Sequence, residues 1–116
     1  MKWSFRENAL KALKSGRAVV INLGDSKGAG THWVAAIVID GVLYYADPFG
    51  SMLGGYPPEE IDVFDHAIVN RIPFQRLETT LCGYYSVCFA LAMNYLPRHT
   101  QLSQKDFEDL LASSIA

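Results

Sequence analysis

Between Glu78 and Arg98 the chain carries no charged residue, and nowhere does it gather Lys and Arg into a run or stripe. With 10 basic against 12 acidic residues and a formal net charge of -2, nucleic-acid binding has no support from charge, and attraction to an anionic membrane has none either. Cysteine is equally scarce. The two thiols, Cys82 and Cys88, stand about 9 Å apart along a helix at about 1.5 Å per residue, too far for a disulfide. They form no CxxC pair, and His32, His66 and His99 share no ligand spacing with each other or with the thiols, so no metal or other cofactor is expected. Internal repeats and low-complexity segments are missing too. The opening residues, Met1 to Asn8, reach charge too early for a secretory leader and lack its apolar core, so an intracellular protein is expected.

What is present is a core. The chain has 116 residues, 50% of them hydrophobic and 19% charged, which suits one domain over residues 1–116. The uncharged span from Thr79 to Pro97 is long enough for a membrane helix by length, but its threonines, Gly83, Ser86, Asn94 and closing Pro97 make it a central helix packed inside a soluble domain.

Trp3 to Ser15 reads as an amphipathic helix with Trp3, Ala9, Leu10 and Leu13 on its apolar stripe, stopped by Gly16. Ala18 to Leu23 reads as a strand, followed by a flexible loop from Gly24 to Gly30. The loop's glycines match no phosphate-binding fingerprint, and a strand rather than a helix follows. That strand, Thr31 to Ile39, is apolar on both faces, which implies a layered α/β or α+β domain. Asp40-Gly41 is a type I′ hairpin signal, returning through Val42 to Ala46. A two-residue turn sets Ile39 opposite Val42 and Val34 opposite Asp47, making His32 and Asp47 diagonal neighbours on one face, about 7–8 Å apart at the backbone. A Gly/Pro loop follows Pro48-Phe49-Gly50. Glu59 to His66 reads as a short helix with a solvated acidic face and a surface His66, and Ile68 to Phe74 as a strand. Thr79 and Thr80 read as N-caps of the uncharged helix, and Ser103 as N-cap of a last helix running through Leu111, with Asp106 at the capping-box position.

Taken alone, Cys82 reads as a buried core thiol. Three placements together read differently: a thiol in the opening turn of a helix, a histidine entering a buried strand, and an acid set beside that histidine by the hairpin. They are the nucleophile, base and orienter of thiol catalysis. Gln75 adds a side-chain amide which, with the Cys82 backbone N–H, can donate to an oxyanion; loss of such a donor typically costs about 2.7–4 kcal/mol of barrier.

The ordered set Thr31-His32-Trp33, Asp47-Pro48-Phe49-Gly50, Gln75 and Leu81-Cys82-Gly83-Tyr84-Tyr85 resembles the adenovirus-type (adenain-like) cysteine proteases and their relatives in large DNA viruses and virus-like transposons. Its core is similar to that of the SUMO- and ubiquitin-like-protein proteases. The resemblance covers Val20 to Met93. It implies an α+β, papain-like fold with a small, mostly antiparallel central sheet and a buried helix carrying the nucleophile. It further implies His32 as base, Asp47 as orienter, Gln75 in the oxyanion hole and Cys82 as nucleophile. The same resemblance implies that Trp33 helps wall a narrow channel suited to glycine, with Gly83 beside it in the substrate-binding set. The implied activity is a thiol endopeptidase acting on precursor or capsid proteins near glycine, in a host cytoplasm or nucleus, or in a virion. Removal of ubiquitin-like modifiers, acetyl transfer and an inactive protein-binding module of the same fold are the alternatives. The chain is shorter than adenovirus protease and has Asp where that enzyme has Glu. Its shortness leaves room for an activating peptide, but neither the disulfide-linked peptide nor the DNA cofactor of adenovirus protease carries over.

Overall fold

The structure is a computed structural model that describes residues 1–24, 32–75 and 81–115. Its centre is β3 (Trp33–Ile39), whose two apolar faces force a layer on each side. Ala35, Ile37 and Ile39 face α2 (Cys82–Asn94) and α3 (Gln104–Ser114), where Phe89, Ala90, Met93, Phe107 and Leu111 are fully buried. Val34 and Ala36 face the other way, onto Ala9 and Leu13 of α1 (Ala9–Leu13) and onto Ile61. Each large side chain so buried contributes about 1.5–3 kcal/mol relative to leaving it in water. The fold is α+β, as expected.

Among the described residues five strands make up the sheet, in the order β1 (Lys2–Phe5), β2 (Val19–Asn22), β3, β4 (Val42–Ala46) and β5 (His66–Val69). β2 to β3 and β3 to β4 are antiparallel, whereas β1 to β2 and β4 to β5 are parallel. The sheet is therefore mixed rather than mostly antiparallel, because both outer strands arrive by crossovers instead of hairpins. The β3–β4 turn is the expected two-residue one: Asp40 and Gly41 both take positive φ, 55° and 79°, and Ile39 pairs with Val42.

Several expectations are corrected. Trp3 to Ser15 is not one helix: Lys2–Phe5 is a strand, Arg6–Asn8 a 3-10 turn, and only Ala9–Leu13 is α-helical. Parallel pairing with β2, with Ser4 turned inward, prevails over local helical spacing. Glu59 to His66 makes a single turn, Asp62 N–H reaching the Pro58 carbonyl at 3.1 Å, before β5 begins at the exposed His66. That strand starts earlier than expected and ends at Val69. The last helix begins as read, with Asp106 N–H donating to Ser103 Oγ at 3.1 Å, and runs on to Ser114. α2 is not enclosed, since Tyr84, Val87 and Leu91 on its outer side are exposed. Residues 25–31, most of the expected Gly24–Gly30 loop, and Thr79 and Thr80 lie outside the described residues, and the N-cap of α2 is Leu81 rather than either threonine. Among the described residues no helix is long and apolar enough to cross a membrane.

Candidate active site

The hairpin register carries His32 to Asp47. Strand pairing ends at Ala35 with Ala46, and just beyond it His32 Nε2 lies 2.7 Å from Asp47 Oδ1. The same Oδ1 accepts the Phe49 N–H at 2.8 Å, and the Phe49 ring stacks on the imidazole, centroids 4.5 Å apart and planes 3° off parallel. Ring position and ring plane are thus fixed together. With the carboxylate on Nε2, the proton of the neutral ring sits there and Nδ1 becomes the basic nitrogen. Nδ1 is buried and has no hydrogen-bond partner among the described residues.

Asp47 is itself held from several sides. It is 2% exposed, and Asn70, fully buried, accepts the Asp47 N–H at 2.8 Å while its Nδ2 donates to the Asp47 carbonyl at 2.7 Å and the Ile72 carbonyl at 3.1 Å. Gly55 lies over the carboxylate so closely that a Cβ there would sit 2.8 Å from Asp47 Cγ and Oδ2, so any side chain would displace Asp47. Tyr45, two residues back on the same strand face, has its phenol pushed far above the ordinary range, first by burial and then by the Asp47 charge. It is a neutral hydroxyl, and its oxygen has no hydrogen-bond partner among the described residues.

Gln75 is buried and tied to the same loop, its N–H donating to the Pro48 carbonyl at 3.2 Å beside that of Phe74 at 2.8 Å. Cys82 is the first residue of α2 and is 8% exposed. The opening N–H groups of a helix have no partner inside it, so the Cys82 turn presents donors at the thiol. This turn meets the histidine strand through neighbouring residues: a Cβ on Gly83 would lie 3.6 Å from Trp33 Cδ1, an ordinary contact. His32 and Asp47 are therefore bonded directly, Gln75 is tied to their loop through Pro48, and the Cys82 turn approaches the strand where Gly83 lies against Trp33, with no hydrogen bond from His32 Nδ1 to Cys82 among the described residues. Both cysteines are free thiols. Among the described residues no group of three or more His, Cys, Asp or Glu is placed to hold a metal.

Sequence reasoning passed over Asn70 and Gly55. Asn70 lies just past the end of β5 and gave no local signal; only its burial in the fold shows that its amide has to find partners. No family model, curated protein or solved structure matches the chain.

Proposed function

We propose that the chain is a cysteine peptidase of papain-like, adenain-type architecture, with Cys82 as nucleophile, His32 as base and Asp47 as orienter. The observation carrying this reading is the 2.7 Å contact between His32 Nε2 and Asp47 Oδ1, which leaves Nδ1 as the nitrogen open to accept a proton. In this scheme His32 Nδ1 takes the thiol proton as Cys82 Sγ attacks the scissile carbonyl carbon. The oxyanion that forms accepts from the Cys82 N–H and from the Gln75 amide. Collapse breaks the C–N bond, His32 returns the proton to the leaving amine, and water then hydrolyses the thioester to regenerate the thiol. The substrate class, precursor or capsid proteins cut near glycine, rests on the sequence resemblance, as does the neighbouring reading of ubiquitin-like-modifier removal.

A second reading, a protein-binding module without catalysis, is favoured by one observation: the outer side of α2 exposes Leu81, Tyr84, Val87, Leu91 and Tyr95 without a charge among them. Incubation of the chain with candidate precursors separates the two. The peptidase reading expects cleavage that Cys82→Ala abolishes and Gln75→Ala slows without loss of binding. Binding with no Cys82-dependent cut leaves the module.

A further inference from the structure

We infer that the Ser86 hydroxyl is a hydrogen-bond donor to the Cys82 thiolate, holding the sulfur in its ionised form. This rests on Cys82 being the nucleophile of the proposed peptidase. Ser86 is fully buried, and its hydroxyl oxygen has no hydrogen-bond partner among the described residues. Three serines at helix ends behave differently: Ser15, Ser113 and Ser114 each donate Oγ to the carbonyl three residues back, at 2.7, 2.8 and 2.7 Å. A buried hydroxyl left unbonded is destabilising, so Ser86 calls for a state of the molecule in which it finds an acceptor.

Its place on α2 identifies the acceptor. Ser86 follows Cys82 by four residues, and side chains so spaced share a helix face with Cβ atoms about 5–6 Å apart. Helical side chains also lean toward the N-terminus, over the residues three and four positions earlier. For Ser86 those are Gly83, which has no side chain, and Cys82, itself 8% exposed. The core into which this face packs is apolar, with Ala35 and Ile37 of β3, Val20 of β2, and Phe107 and Leu111 of α3. Of titratable groups, β3 is preceded by His32 with Asp47 bonded to it, and α2 adds the half-buried Tyr85 phenol. β2 carries none, and those of α3 are exposed or, in Glu108, bonded to the Arg71 and Ile72 N–H groups. A neutral thiol is a weak acceptor and a thiolate a strong one, so the hydroxyl bonds once His32 has taken the Cys82 proton. The Ser86 proton stays on its own oxygen. A bond made to the charged form alone favours that form, so Ser86 raises the fraction of Cys82 that is ionised near neutral pH.

Alkylation by iodoacetamide, followed at each thiol by mass spectrometry in the unsubstituted chain and in Ser86→Ala, tests this, with Cys88 as the reference. One hydrogen bond to a charged group shifts a thiol–thiolate balance about tenfold, and the greater nucleophilicity of the less stabilised thiolate offsets part of that. At pH 7 the Cys82 rate in Ser86→Ala should therefore fall about three- to tenfold. At pH 10, where thiols are ionised without help, it should be no lower than in the unsubstituted chain, and Cys88 should not change at either pH. Denaturant unfolding should show Ser86→Ala to be at least as stable as the unsubstituted chain; a hydroxyl with a merely structural role would move stability and not the pH profile. Equal Cys82 rates at pH 7, an equal loss at both pH values, or a loss of stability would each overturn the inference. His32→Ala separates it from the peptidase reading. If His32→Ala slows Cys82 and Ser86→Ala does not, the peptidase stands without Ser86; if Ser86→Ala slows Cys82 and His32→Ala does not, the donor stands and the peptidase is overturned.

Discussion

The Asp47 loop and the outer side of α2 are built in opposite ways. Around Asp47 the backbone and side chain are held by Asn70, Phe49 and Gly55, and the loop is nearly sealed from water. Along α2 the residues facing the sheet are packed, but those facing out are large, apolar and exposed. A helix apolar all round is what an element covered on two sides looks like. On the proposed reading, the contrast separates rigidity, which suits His32 and Asp47, from accessible surface, which suits a partner or substrate.

The largest expected effect tests the rigid half. Asn70→Ala strips two bonds from the Asp47 backbone and leaves buried groups unpaired, so denaturant unfolding should show a loss of about 2–3 kcal/mol. A loss under about 0.5 kcal/mol would mean that the loop holds itself. Tyr45→Phe removes a buried hydroxyl without a hydrogen-bond partner among the described residues, and stability should rise by up to about 1 kcal/mol. A clear loss would reveal a partner for that oxygen.

In the Arg6–Glu60 pair at the exposed rim, one donor, Arg6 Nε, is shared between both carboxylate oxygens at 2.9 and 2.8 Å. Its hydrogen bond to Arg6 is the main cause that lowers the Glu60 pKa. A lowered carboxylate pKa stabilises the fold above the unfolded value, about 4.3, and that contribution is lost as pH falls through the folded value. Discounted for exposure, Glu60→Gln should cost about 0.2–1 kcal/mol at pH 7 and nothing at pH 2; a difference that persists at pH 2 would point to packing instead. The smallest effect belongs to the open half. Leu91→Gln should change stability by no more than about 0.5 kcal/mol, whereas a large loss would show this side to be covered in the folded chain.

The hairpin explains how much of the site was legible in the sequence. Asp40-Gly41 fixes a register, and a register fixes neighbours, so His32 and Asp47 could be paired before any coordinates. Ser103 and Asp106 were legible for the same reason, as a motif within a few residues. Asn70 reaches Asp47 from 23 residues along the chain, and Gly55 reaches it by the loop folding back onto Gly50, and no sequence pattern records either approach. β1 was misread as helix because four residues carry no decisive period and its pairing with β2 is parallel and non-local. The exposed side of α2 was hidden because a helix apolar on every side has no spacing that tells inner from outer.

The central claim is that Cys82, and not Cys88, is the thiol that His32 activates. Mass spectrometry of the chain after brief exposure to a thiol-reactive, glycine-ended peptide probe tests it most directly, with His32→Ala in parallel. The account predicts modification at Cys82 with Cys88 spared, and a fall of about tenfold or more in the Cys82 rate in His32→Ala. Equal modification of both thiols, unchanged by the loss of His32, would contradict it.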